Sequence, residues 1–192
     1  MKHEIASLNT KRALSQALKK RMETKPFSKI TIQEIILDCG INRNTFYYHF
    51  QDMRDLLRWT LRNEAIDIVK KYDLAADYEA VILFVIDYLE QNQHILNCVY
   101  DSVGCDELKS YLVDDFTEII ESVVSLEEAV VGARLPEDYR KLLISFYREG
   151  ISGLIIDYLH GGIDLTKENA VRYIADIFRL TLPQIIRNAG RS

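Results

Sequence analysis

The 192-residue chain is 48% hydrophobic and contains only 3 prolines and 8 glycines, which allows a substantial core in one domain or two small ones and favours a mostly helical fold. Its formal net charge of −5 argues at first against a nucleic-acid binder, yet residues 1–62 contain 12 Lys and Arg against 6 Asp and Glu, whereas residues 63–192 contain 12 against 23. A basic N-terminal third joined to an acidic remainder is the distribution expected if one end of the chain binds phosphates.

The N-terminal segment is predicted to contain a short arm followed by a helix. Residues 1–9 are expected to form the arm, and the helix is predicted to run from Thr10, a good N-cap, to about Glu23. Leu14 and Leu18 recur at helical spacing and are predicted to lie on its buried side.

Residues 31–50, TIQEIILDCGINRNTFYYHF, are predicted to form two short helices joined by a tight turn. Thr31 followed three residues later by Glu34 is the pattern of a capping box at the start of the first helix. Gly40 can adopt the positive φ that the turn requires. Asn42 is a good N-cap for the second helix, whose Phe46 is predicted to pack into a small core.

That packing leaves a set of polar and phenolic side chains on the open side of the second helix. Arg, Asn, Thr and Tyr at the N-terminal end of a helix are the side chains that reach base edges and phosphate oxygens, so the pattern predicts a helix-turn-helix motif. The alternative is that the polar side chains are merely solvated, because two amphipathic helices joined at a glycine occur in many all-helical proteins.

Residues 27–57, FSKITIQEIILDCGINRNTFYYHFQDMRDLL, resemble the N-terminal DNA-binding domain of the TetR family of bacterial regulators. With the preceding helix, the resemblance covers residues 1 to about 60. It implies an all-α protein in which a three-helix helix-turn-helix domain, residues 1–52, precedes a C-terminal helical bundle, residues 53–192, that dimerises. The matching features are Thr31-Ile32, Ile35, the turn Cys39-Gly40-Ile41, Thr45-Phe46-Tyr47, His49-Phe50, Asp52 and Leu56-Leu57.

The candidate DNA contacts follow from this placement. Arg43, Asn44 and Tyr48 are the candidates for base contacts, and Arg43 suits guanine because its two-pronged donor matches the acceptors on that base. The family usually carries a lysine after Asp52 that reaches a phosphate; here that residue is Met53, and Arg54 is the nearest replacement. The other phosphate contacts are assigned to side chains near the two motif helices: Lys29, Thr31, Gln33, Thr45, Tyr47 and His49.

The remainder of the chain is predicted to be a bundle of helices over residues 53–72, 78–92, 94–103, 106–125, 136–158 and 166–188. Pro136 is predicted at the first position of its helix. The last two helices are apolar over more than one side, which implies a partner beyond the chain's own core. The family resemblance implies that these two helices pair with their copies in a homodimer.

The resemblance also implies that a signal, either a small molecule or a protein, binds the C-terminal domain. Aromatic side chains are candidates for the wall of a ligand pocket, with the alternative that they are ordinary core residues: Trp59, Phe84, Tyr88, Tyr100, Tyr111, Phe116 and Tyr147. Residues 56–59 and 88–93 further resemble the group with regulators of dihydroxyacetone kinase operons, some of which bind a kinase-like protein partner. An adaptor that acts mainly through such a partner is therefore the second hypothesis.

The sequence shows no motif for nucleotide binding, metal binding or catalysis. It contains no nucleotide-binding glycine loop, and its four histidines do not group at metal-ligand spacing, so we expect no cofactor, no metal and no enzyme activity. The odd number of cysteines, three, suggests a reducing compartment. The first residues lack the apolar stretch of a signal peptide, and no run reaches the ~18 apolar residues of a membrane span. We therefore expect a cytoplasmic protein.

Overall fold

The structure is a computed structural model that describes residues 2–72 and 77–189. Within these ranges it contains helices and turns but no strand, so the prediction of an all-α fold is confirmed. The helices are α1 (Lys2–Met22), a 3-10 turn (Phe27–Lys29), α2 (Ile32–Cys39), α3 (Arg43–His49), α4 (Met53–Leu61), a π-helical turn (Arg62–Ile66), α5 (Asp67–Val69), α6 (Tyr78–Gln91), α7 (Gln93–Val103), α8 (Cys105–Val131), α9 (Glu137–Leu159) and α10 (Lys167–Ala189).

Two predicted helix starts were wrong. No arm precedes Thr10, because α1 already begins at Lys2, and the Thr10 hydroxyl donates to the carbonyl of Ala6 (3.0 Å) as a residue inside a helix does. Pro136 is not the first helical residue: its ψ of 144° is extended, and it caps α9, which begins at Glu137.

The end of α8 also differs from the prediction, which placed it near Ser125. The helix continues to Val131, because residues 126–131 contain no helix breaker. It ends at Gly132, which adopts a φ of +71°.

The first compact unit comprises the chain up to Glu64 together with Asn92–Leu108. Its core is built from fully buried side chains of the first four helices, such as Leu14, Ile35, Phe46 and Leu56. Helix α7 belongs to this unit through short polar contacts as well as apolar ones. His94 Nε2 lies 3.2 Å from the carbonyl oxygen of Met22, and the Cys98 thiol points to the carbonyl oxygen of Lys25 at 3.7 Å.

The second compact unit comprises Ala65–Gln91 and Lys109–Ser192. In it α6 packs along α10, and ion pairs join the two helices at both ends: Arg179 with Glu79, and Lys167 with Asp87 and Glu90. Between these ends the ring of Phe178 stacks on Tyr78 (5.5 Å between centroids) and on Tyr147 (4.9 Å). In the part of the chain described, no helix is both long and apolar enough to cross a bilayer.

The turn between α2 and α3 depends on Gly40. Its φ of +63° is left-handed, and a Cβ built there meets nothing within 4 Å, so any cost of a side chain is conformational rather than steric. We expect Gly40→Ala to destabilise the protein by about 1–2 kcal/mol in urea unfolding. Gly40→Asn should cost less despite its larger side chain, because Asn tolerates this conformation. An asparagine variant that is less stable than the alanine variant would show that the cost is steric instead.

Candidate nucleic-acid interface

Helix α2 begins at a complete capping box, as predicted. The Thr31 hydroxyl accepts a hydrogen bond from the backbone N–H of Glu34 (3.3 Å), and the Thr31 N–H donates to the Glu34 carboxylate (2.9 Å). The far end of α2 is tied to α1 because Arg21 donates two hydrogen bonds, of 2.6 and 2.5 Å, to the carboxylate of Asp38. These contacts fix the direction of the short α2, whose Ile35 and Ile36 are buried.

Helix α3 is capped by Asn42, again as predicted. The Asn42 side-chain oxygen accepts from the backbone N–H of Thr45 (2.8 Å) and from the Thr45 hydroxyl (3.1 Å). Phe46 lies on the inner side of the helix with no exposed surface, and its ring contacts Phe50 at 6.0 Å between centroids. Burial of Phe46 fixes the rotation of α3 about its axis and therefore decides which side chains face outward.

The outward face of α3 carries Arg43, Asn44, Tyr47 and Tyr48, all of them exposed. Tyr48 is 72% exposed and Tyr47 is 47% exposed, because the Tyr47 ring rests edge-on against Phe46 (5.6 Å). Arg43 Nη2 donates to the Tyr47 hydroxyl at 3.2 Å, and the guanidinium lies 5.6 Å from the centre of the Tyr47 ring. The structure thus brings three candidate base-reading side chains and one candidate phosphate-binding side chain onto one open surface.

The remaining candidates for phosphate contacts lie in different environments. Lys29 and Gln33 are exposed, and so is Thr31, whose hydroxyl also donates to Glu34 (2.9 Å). Arg54 is exposed but not free, since its Nη1 lies 3.1 Å from the Glu107 carboxylate in the same unit.

His49 is half-buried behind the open face of α3. Its Nδ1 lies 3.5 Å from the Ser7 hydroxyl. Burial, and secondarily the charge of Lys11, lowers the pKa of His49 below its ordinary value of 6.5. At neutral pH the side chain is therefore a neutral donor or acceptor rather than a cation.

The capping box carries a pH-dependent part of the stability. A hydrogen bond from Lys25 (2.6 Å), followed by bonds from Thr31, lowers the pKa of Glu34 from 4.5 to about 2. Because the folded-state pKa is the lower one, this stabilisation is complete above about pH 4.5 and is lost as the pH falls towards about 2.

We expect Glu34→Gln to be less stable than the wild type at pH 7, and the difference to shrink as the pH falls from 5 to 3. Glutamine retains the capping geometry, so the charge is the main change. Urea unfolding at each pH measures the difference. The matched control Glu168→Gln removes the same charge from an exposed site on α10 and should change the pH dependence less. A Glu34→Gln curve parallel to that of the wild type at every pH would contradict the assignment.

The second unit contains a cavity of about 290 Å³. Its wall is formed mainly by aliphatic side chains of α6, α8, α9 and α10, together with five aromatic residues: Tyr78, Phe116, Tyr158, Tyr173 and Phe178. Among the described residues, no group of three or more His, Cys, Asp or Glu side chains is placed to hold a metal ion.

Of the seven aromatic pocket candidates taken from the sequence, Phe116 lines this cavity and the other six do not. Trp59 lies in the first unit, 5.9 Å from the ring of Phe50, and Tyr100 belongs to the same unit. Phe84 contacts the ring of Tyr72 (5.9 Å). The other three belong to the second unit outside the cavity wall: Tyr88, Tyr111 and Tyr147.

Sequence reasoning missed the four tyrosine and phenylalanine residues that line the cavity with Phe116. Their helical spacing was visible, and Tyr158 was placed at the end of the predicted fifth bundle helix. Spacing assigns a side chain to the inward side of its helix, but it does not tell a cavity wall from a filled core. That distinction needs the mutual placement of several helices.

Two protein-family profiles match this chain, one over the helix-turn-helix region and one over the C-terminal region. The family profile described as "Bacterial regulatory proteins, tetR family" matches residues 16–58, and the profile described as "Transcriptional regulator C-terminal region" matches residues 77–180. The second match alone covers more than half of the 192 residues.

Two similar proteins are each described as an operon activator DhaS. The chain is 26% identical over 87 residues to the HTH-type dhaKLM operon transcriptional activator DhaS of Lactococcus lactis subsp. lactis (strain IL1403). That alignment covers 45% of this chain and 46% of the relative, so the chain spans about half the length of the curated relative it matches. A solved structure described as dihydroxyacetone kinase operon activator DhaS is similar in fold, with a TM-score of 0.67 over 94% of this chain and 98% of that one, at 16% identity.

Both descriptions match the group that residues 56–59 and 88–93 resemble. The proteins that match are transcription regulators rather than enzymes. The chain belongs to the TetR family of bacterial transcription regulators.

Proposed function

We propose that this regulator binds a pseudo-palindromic DNA operator as a homodimer and responds to a signal bound in its C-terminal domain. The observation that carries the proposal is the open face of α3, where Arg43, Asn44, Tyr47 and Tyr48 are exposed together while Phe46 anchors the helix from behind. This is the side of a recognition helix that enters a major groove. We assign residues 1–52 to DNA binding and residues 53–192 to signal binding and dimerisation.

Within that assignment Arg43, Asn44 and Tyr48 read bases. The Tyr47 hydroxyl accepts from one Arg43 nitrogen at 3.2 Å, so the other guanidinium donors remain available for a base. Side chains around the two motif helices contact phosphates: Lys29, Thr31, Gln33, Thr45, Tyr47, His49 and Arg54. To do so, Arg54 gives up its ion pair with Glu107 and binds a phosphate instead.

The homodimer is supported by exposed apolar side chains on α9 and α10. Leu142 is 66% exposed, Phe146 is 70% exposed and Leu180 is 69% exposed, although all three are large and apolar. A second copy that covers this surface removes it from water and places two recognition helices on neighbouring half-sites about 34–36 Å apart. A signal that binds one dimer geometry better than the other then shifts the DNA affinity.

A gel shift of the protein on its own upstream DNA tests the proposal. We expect a specific site, and a binding constant that falls steeply as the salt concentration rises, because Lys and Arg contacts to phosphates release counterions. Binding that is weak, independent of sequence and insensitive to salt would contradict it. The proposed place of action is the cytoplasm, where bacterial DNA lies.

A second candidate is an adaptor that acts mainly by binding a kinase-like protein through its C-terminal domain. It is favoured by the name of the curated relative, which connects that protein with the dhaKLM operon, and by the acidic residues 63–192. Co-purification of one stoichiometric kinase-like partner, without a specific DNA site in the gel shift, would favour the adaptor over the regulator.

A further inference from the structure

The cavity in the second unit is unusual in how few polar groups face it. Of the 22 described residues in its wall, 19 are Val, Ile, Leu, Ala or Phe, and the other three are tyrosines. In the part of the wall that the structure describes there is no charged side chain, amide or histidine. The chemical character of any ligand is therefore decided by hydrocarbon surface and three phenolic hydroxyls.

Each of those hydroxyls already has a partner away from the cavity wall. The Tyr78 hydroxyl donates to the buried carboxylate of Glu127 (2.9 Å). The Tyr158 hydroxyl donates to the carboxylate of Glu90 (2.9 Å), and the Tyr173 hydroxyl accepts from Arg172 Nη2 (3.2 Å). Without breaking these bonds a ligand can use only the remaining lone pairs of Tyr78 and Tyr158 and the O–H of Tyr173. A ligand with more polar atoms than that, or with a charge, would leave polar groups without partners, which disfavours binding.

We propose that this cavity takes an uncharged, largely hydrocarbon molecule, and that this class of compound is the small-molecule signal. The role of such a compound as the signal rests on the proposed function. A cavity of about 290 Å³ is roughly twice the ~150 Å³ cavity that holds a benzene molecule, which points to a ligand with on the order of ten to twenty non-hydrogen atoms. An alkyl chain or fused aromatic ring system fits this description, whereas a small polyhydroxylated metabolite, a carboxylate or an ammonium ion does not.

The position of the cavity connects ligand binding with self-association. Tyr173 and Ile177 line the cavity, yet both are also exposed on α10, on the same helix as Leu180. Ile177 and Tyr173 precede Leu180 by three and seven residues and so share its side of the helix. A dimer built on Leu180 would therefore also contact these two cavity side chains. This shared use of two side chains gives the ligand a direct route to bias the dimer geometry.

Binding of the neutral fluorescent probe N-phenyl-1-naphthylamine to the full chain, measured without DNA, tests the ligand class. We expect a saturable rise in fluorescence that 1-octanol reverses. Octanoate and octylammonium, which have the same chain length but carry a charge, should need at least about tenfold higher concentrations to reverse it. Dihydroxyacetone should not reverse it. Displacement by a charged compound or by dihydroxyacetone as readily as by 1-octanol would overturn the proposal, as would the absence of saturable binding.

Variants identify the site at which the probe binds. Ala170 is buried on the cavity wall, so Ala170→Leu and the larger Ala170→Phe should fill the space and weaken probe binding by at least about tenfold. Ala129 on α8 is exposed and outside this cavity wall, so Ala129→Leu is the matched control and should bind like the wild type. Circular dichroism selects the folded variants, and Ala170→Leu remains informative if Ala170→Phe does not fold.

A folded Ala170→Leu variant with wild-type probe affinity would overturn the assignment of this cavity. The gel shift separates this result from the proposed function, because the probe measurements contain no DNA. If the wild type binds the probe as expected but neither the probe nor 1-octanol changes its operator affinity, the ligand class stands and the signalling role is wrong.

Discussion

Replacing Phe146 with Asp is expected to convert the proposed dimer to a monomer. Phe146 and Leu142 lie one helical turn apart on α9, and both are exposed, as is Leu180 on α10. In a dimer built on these side chains the new carboxylate would be transferred from water into an apolar contact without a partner, which is strongly unfavourable. Each recognition helix would then bind its half-site alone, and the affinity for a two-half-site operator should fall by roughly 10²–10⁴-fold.

Sedimentation equilibrium and a gel shift on the same samples measure the two effects. The matched control is Val130→Asp, which introduces the same charge at a side chain that is 75% exposed near the end of α8. That variant should remain dimeric and bind the operator like the wild type. A Phe146→Asp variant that is still a dimer, or a wild type that is already monomeric at micromolar concentration, would refute the assignment of the interface to α9 and α10.

The parts of the fold that were predictable from the sequence depend on interactions between near neighbours. The bonds of Thr31 with Glu34 and of Asn42 with Thr45 each span three residues, so residue type and spacing almost determine them. The left-handed conformation of Gly40 was predictable for the same reason. The outward face of α3 then follows from the burial of Phe46 alone, because one anchored side chain fixes the rotation of a seven-residue helix.

The parts that were not predictable depend on partners far away in the sequence. Arg54 was a candidate for a phosphate contact, and its pairing with Glu107, 53 residues later, has no local signal. The cavity wall is assembled from α6, α8, α9 and α10, so an empty space between them cannot be read from the periodicity of any one helix. The early start of α1 has a different cause: residues 2–9 contain neither Gly nor Pro, and a helix continues through such a segment in preference to the cap offered by Thr10.

Replacing Arg43 with Ala is expected to weaken operator binding and to relax the preference for one base pair in each half-site. A bidentate contact between arginine and guanine contributes about 1–3 kcal/mol, and a homodimer loses two such contacts, so the total loss should be about 2–6 kcal/mol. In the unbound protein Arg43 is held only by the Tyr47 hydroxyl and ring among the contacts seen on this exposed face, so its removal should leave the fold of α3 intact. The loss should therefore appear in binding and not in thermal stability.

Gel shifts on the operator, on operators changed at single positions and on random DNA separate base reading from general attraction to phosphates. Arg43→Ala should lose much more affinity for the operator than for random DNA. Arg187→Ala, which removes the same charge from an exposed position on α10, should lose little on either. Tyr47→Phe keeps the ring that packs on Phe46 but loses the hydroxyl assigned to a phosphate, so it should weaken binding to all sequences alike. Equal losses on operator and random DNA for Arg43→Ala would show that Arg43 binds the DNA backbone, and base reading would then have to come from Asn44 and Tyr48, the other exposed residues assigned to it on α3.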